Sequence, residues 1–122
     1  MENIYALRIA PGKITITARG EGLDGLYAAT ECEMVEIVGH GKIGGVEVSV
    51  IADEEGLLKS DPELNLTACD VLAVATKSAP AYLNGGGLVG TCSLVHNENL
   101  RGFTANEVAR IISALERGGF PM

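Results

Sequence analysis

The chain has 122 residues, 47% of them hydrophobic, and a formal net charge of −7. That length predicts one domain with a core of useful size, and the acidic balance argues against duplex nucleic acid, whose binding rests on cationic side chains displacing counterions. With three Tyr, two Phe and no Trp, the core has to be built from Val, Ile, Leu and Ala.

"IYALRIAPGKITIT" predicts a hairpin, with Ile4 to Ile9 and Lys13 to Thr17 as strands and Pro11-Gly12 at the centre of a type II turn. Alternation puts Ile14 and Ile16 on one face. Leu23, Leu26 and Tyr27 have the spacing of a short helix, which Gly25 weakens. "CEMVEIVG" and "VEVSVIAD" alternate as strands around the loop tip "HGKIGG", a second antiparallel hairpin. "EEGLLKSDPE" is a turn region.

"NLTACDVLAVATKSA" is ambiguous. Its length and Ala content favour a buried helix ended before Pro80, and its Val-Leu-Ala-Val run also suits a strand. "LVGTCSLVH" reads as a central strand. Thr104 and Glu107 form a T-x-x-E capping box. Val108, Ile111, Ile112 and Leu115 make one apolar helical face, and Gly118-Gly119 end that helix. The expected fold is α+β: a single domain over 1-122, with about five mostly antiparallel strands flanked by two or three helices including a C-terminal one.

The triplet Gly85-Gly86-Gly87 invites a phosphate-loop reading. The glycines precede a strand, however, and no Lys follows Gly90, so the helix N-terminus such loops use is missing. What remains is a close-approach loop carrying Tyr82 and Asn84, residue types that suit stacking on a base and reading its edge, or a plain surface loop. On the last helix, Asn106, Arg110, Ser113 and Arg117 align opposite the apolar face. Two arginines on one stripe can grip a diphosphate. They can also be a solvated face, partly neutralised by Glu107 and Glu116. His96, Asn97, Asn99, Arg101 and Phe103 lie between the last strand and that helix. They read as a nucleotide-facing rim, with Phe103 equally suited to a hydrophobic staple against Val108.

Catalytic signatures are poor. His40 and His96 have no motif around them, and Asp53-Glu54-Glu55 reads as a solvated charge run. No catalytic set, metal site or cofactor is expected. Cys32, Cys69 and Cys92 lack zinc or redox spacing and read as buried reduced thiols. Neither a signal peptide nor a membrane span is expected, which with the thiols predicts a cytoplasmic protein.

"VEIVGHGKIGGVEVSVIADEEGLLKSDPELN", then the glycine-rich loop, "VGTCSLV" and "FTANEVARIISAL", stand in an order similar to small phage-encoded domains of unknown function. More specifically, the order resembles the first family of phage Thoeris anti-defence proteins, over roughly residues 33 to 116. The resemblance implies a sponge in an infected bacterial cell that binds a cyclic ADP-ribose isomer without degrading it. It also implies a homodimer or a hexamer built from dimers, and in some members a second site for cyclic oligonucleotides. Matched by position or by type, it points to Arg110, Arg117, Tyr82, and Asn97 or Asn99. The second site would fall on the loop from Gly39 to Gly44, with His40 and Lys42. The alternative expectation is an acidic phage protein that blocks a host defence or restriction protein by direct contact.

Overall fold

A computed structural model describes residues 3–54, 63–78 and 87–121. The elements run β1 (Tyr5–Ala10), β2 (Lys13–Ala18), α1 (Gly22–Thr30), β3 (Val35–Ile43), β4 (Val46–Asp53), α2 (Leu66–Thr76), β5 (Cys92–His96) and α3 (Ala105–Arg117). The strands form one sheet in the order β2-β1-β5-β4-β3. Every pairing in it is antiparallel. The α+β expectation holds, with three helices and the last one C-terminal.

Strand alternation divides the core into two layers. Leu7, Ile9, Val48, Val50 and Leu94 face α2 and α3, where they meet Val71, Ile111 and Leu115. Ala6, Ile51 and Val95 face the other way and meet Leu26 and Ala29 of α1. The helix stripe on α1 is therefore Leu26, Ala29 and Thr30, while Leu23 is exposed. Gly25, which propensity counts against the helix, is needed by packing: a Cβ there would collide with the Gly20 carbonyl.

The ambiguous stretch is a helix. Asn65 caps it, its Oδ1 accepting the Ala68 N–H at 2.9 Å. The Asn65 amide donates to the carbonyls of Ile9 and Gly90, each at 2.8 Å. One buried side chain thus ties α2 to β1 and to the segment entering β5.

Two boundaries differ from expectation. The run "LVGTCSLVH" becomes ladder only at Cys92. Leu88 and Gly90 pair instead with the chain before α2, through Asn65 N–H to Leu88 O and Gly90 N–H to Glu63 O. "HGKIGG" is not a loop tip. β3 continues to Ile43, and the turn is the two residues Gly44 and Gly45, with φ of 60° and 79°. Positive φ at both positions is the tight hairpin turn that matches strand twist and favours glycine. The turn expected over 54–63 lies, except for Glu54 and Glu63, outside the described residues. Among the described residues, no helix is long and apolar enough to cross a membrane.

Candidate functional site

The capping box that starts α3 is formed in both directions. The Thr104 hydroxyl accepts the Glu107 N–H at 3.1 Å, and the Glu107 carboxylate accepts the Thr104 N–H at 2.9 Å. Val108, Ile111 and Leu115 turn into the core. The opposite face is left to solvent, with Asn106, Arg110, Ser113 and Arg117 all exposed. Arg110, Ser113 and Arg117 line one shallow depression of about 340 Å³ together with Gly44 and Ala109. Asn106 stands on the same helix but not in that lining.

Close packing fixes this arrangement. A Cβ on Gly44 would lie 2.5 Å from the Arg110 carbonyl, and one on Gly45 would lie 2.6 Å from Arg110 Nη2. The bare glycine turn is what lets α3 approach the β3–β4 hairpin and lays the Arg110 guanidinium across it. Among the described residues, neither Arg110 nor Arg117 has a hydrogen-bond or ion-pair partner. Of the two carboxylates expected to neutralise the stripe, Glu107 pairs with Arg101, and Glu116 is exposed in the lining that Arg117 shares with the larger cleft.

Beside the depression is a larger cleft of about 680 Å³ between α3 and the first hairpin. α3 contributes Ala105, Val108, Ala109, Ile112, Ser113, Glu116 and Arg117; β1 contributes Tyr5 and β2 contributes Ile16. The cleft arises from uneven cover of the edge strand. At one end Ile14 is buried, its N–H bonded to the Pro121 carbonyl at 3.2 Å. Two residues on, Ile16 faces the same way and is 52% exposed. Tyr5 and Ile16, which line this cleft, are not among the site residues that the sequence singles out. The exposed half of the Ile14/Ile16 alternation on an edge strand was the available signal.

The segment from β5 to α3 serves structure more than any rim. Phe103 is wholly buried, paired through its backbone with Tyr5 and set edge-on to His96 at 6.2 Å between ring centroids. It shares the core cluster with Val108, so its ring cannot meet a surface ligand and the rim reading of Phe103 is corrected. Arg101 makes a two-pronged pair with Glu107, at 3.0 and 3.1 Å. That pair is the first cause of a Glu107 carboxyl held down at about 2, with the Thr104 N–H adding to it, and it raises Arg101 above its ordinary value. Arg101, its side chain 26% exposed, thus has its guanidinium engaged by Glu107.

His96 is buried. Its Nδ1 accepts the Glu98 N–H at 2.9 Å, which leaves the proton on Nε2, 3.5 Å from Glu107. Asn97 accepts from the Ser49 hydroxyl at 2.8 Å. Asn99 is exposed, with left-handed backbone at φ 53°. None of these residues lines either depression on α3.

The second-site group separates by strand alternation. Gly39 sits beneath α2, where a Cβ would lie 2.5 Å from Leu72 Cδ1. His40 and Lys42 are exposed on β3. Tyr82, Asn84, Gly85 and Gly86 lie outside the described residues. Of the carboxylate run, Asp53 is buried and Glu54 exposed, and Glu55 is outside the described residues. Among the described residues no cluster of three or more His, Cys, Asp or Glu could hold a metal. Cys69 and Cys92 are buried and Cys32 is only half-buried; none forms a disulfide. Burial pushes the Cys92 thiol up to about 12, so it stays protonated and unreactive at neutral pH.

No family model, curated protein or solved structure matches this chain.

Proposed function

We propose that this chain binds a small diphosphate nucleotide of the cyclic ADP-ribose kind and sequesters it without cleaving it. In this reading it is a phage-encoded antagonist of a nucleotide-signalling defence, as its sequence resemblance implies. The observation that carries the reading is the pair Arg110 and Arg117, both exposed, both without a protein partner among the described residues, and lining one depression. A guanidinium is always charged and presents a planar fork of donors, the geometry a phosphate oxygen pair accepts. In a chain of net charge −7, two exposed arginines two turns apart on one helix face make a local cationic stripe against the overall field, with Glu116 beside Arg117 in the adjoining lining. Sequestration asks for affinity and slow release, not for a general base. A Kd near 1 nM corresponds to about −12 kcal/mol, more than two exposed ion pairs supply, so burial of the base or closure by a second subunit has to add to them.

The test is depletion and recovery. Purified protein is incubated with the product of a TIR-domain enzyme and removed, and the supernatant is assayed for signal. Heating the protein fraction should return intact nucleotide in stoichiometric amount. Arg110→Ala and Arg117→Ala should each weaken binding by about tenfold to a hundredfold, the range for one lost charge-assisted hydrogen bond. Lys42→Ala should not, because alternation puts Lys42 on the face of β3 opposite to the one that Ile43 turns toward α3. Degraded nucleotide, or full affinity in the double arginine variant, overturns the reading.

A further inference from the structure

Resting on the reading of Arg110 and Arg117 as the phosphate grip, we infer that the cleft between β2 and α3 holds the ligand's purine base, with Tyr5 and Ile16 as its specificity-determining contacts. The two depressions are not separate sites. They share Ala109, Ser113 and Arg117. One end is mainly apolar, made by Tyr5, Ile16 and Ile112 with the Glu116 carboxylate in its wall; the other is cationic, made by Arg110 and Arg117. A ligand that spans them carries a flat apolar group and an anionic group joined by a short polar linker, which is the chemistry of a nucleoside diphosphate.

The cleft suits a ring rather than a protein surface. Its volume of about 680 Å³ lies within the range of about 300–1,000 Å³ typical of small-molecule sites. Tyr5 brings an aromatic face, and among the described residues its hydroxyl has no hydrogen-bond partner, so it can donate to or accept from a base edge. Of the large hydrophobic side chains exposed among the described residues, only Ile16 is in the cleft. Ser113, at the junction, supplies a hydroxyl where a ribose would pass.

The experiment uses the full chain with isoleucine δ1-methyl labels, titrated with ADP, with cyclic ADP-ribose isomers from a TIR enzyme, and with inorganic pyrophosphate. The nucleotides should move the Ile16 and Ile112 methyl signals upfield, by the ring current of a stacked base, and pyrophosphate should not. Ile16→Gln, at an exposed and neutral position, should cost tenfold or more in nucleotide affinity and leave pyrophosphate affinity unchanged. Tyr5→Leu should do the same, its fold checked by circular dichroism. Nucleotide binding that depends on Arg110 but leaves both methyls still and ignores Ile16→Gln overturns the base assignment and spares the sequestration reading. If neither nucleotide binds, both fall. Methyl shifts that follow protein concentration alone would give the cleft to a second copy and overturn the inference.

Discussion

Glu107 shows how one residue can look like a surface charge and work as a structural hub. Its carboxylate takes both prongs of Arg101, closes the cap on Thr104 and stands 3.5 Å from His96 Nε2. Its pKa is depressed from 4.5 to about 2. A depressed carboxyl stabilises the fold fully above its unfolded pKa, and that contribution is lost as the pH falls through the folded one. The relevant window is therefore from about pH 4.5 down to about pH 2. The Glu107 side chain is 19% exposed, and solvent screening reduces its contribution to about 1–2 kcal/mol. Urea unfolding of Glu107→Gln should show that loss at pH 7 and a flatter decline than the native protein between pH 4.5 and 2. Equal slopes in the two proteins would rule the account out.

Glycines decide how elements meet. Gly39 and Gly41 alternate on the face of β3 that α2 covers, and a Cβ on Gly41 would strike the Ala75 carbonyl. Backbone cannot yield as a flexible side chain can, so α2 has to lift from the sheet. Gly41→Ala should cost about 1–3 kcal/mol, the range for overpacking, and should expose the Val71 and Ala75 face to faster hydrogen exchange. Lys42→Ala one residue on, exposed, should change stability by less than about 0.5 kcal/mol. Hydrogen exchange confined to α2 in the Gly41 variant and absent in the other is the expected pattern. α3 is the opposite case, an element whose start, stripe and stop were all readable. Its capping box, its buried Val108, Ile111 and Leu115, and its Gly118 cap fall where the sequence put them. Ile112, read as core, sits half-buried at the cleft wall instead.

At the scale of the whole molecule, the sheet with α1 on one side and α2 and α3 on the other leaves β2 and β3 as edges. A ligand held between α3, β1 and β2 bridges elements that separate on unfolding, so binding and folding are coupled. At a thousandfold excess over Kd the ligand should add about 4 kcal/mol, and so raise the melting temperature by on the order of 10 °C for a chain of this size. Arg110→Ala should retain its own melting temperature and lose most of that rise. A panel of nucleotides with no shift in the native protein would count against a nucleotide ligand altogether.

Periodicity and caps by themselves determined the α+β class, both hairpins, the last helix and the alignment of Arg110, Ser113 and Arg117. These are properties of neighbours in the chain, three to seven residues apart, which local backbone geometry translates directly into faces. Only the tertiary structure decided that Arg101 pairs with Glu107, that Phe103 is buried, that Gly39 belongs to a helix contact, and that Tyr5 and Ile16 join α3 in a cleft. Each of those outcomes depends on what a distant segment places against the residue: Tyr5 beside Phe103, Gly41 beneath Ala75, Ile14 bonded to Pro121 with Ile16 open beside it. Packing between segments far apart in sequence has no period to read, and it is there that the candidate site was made.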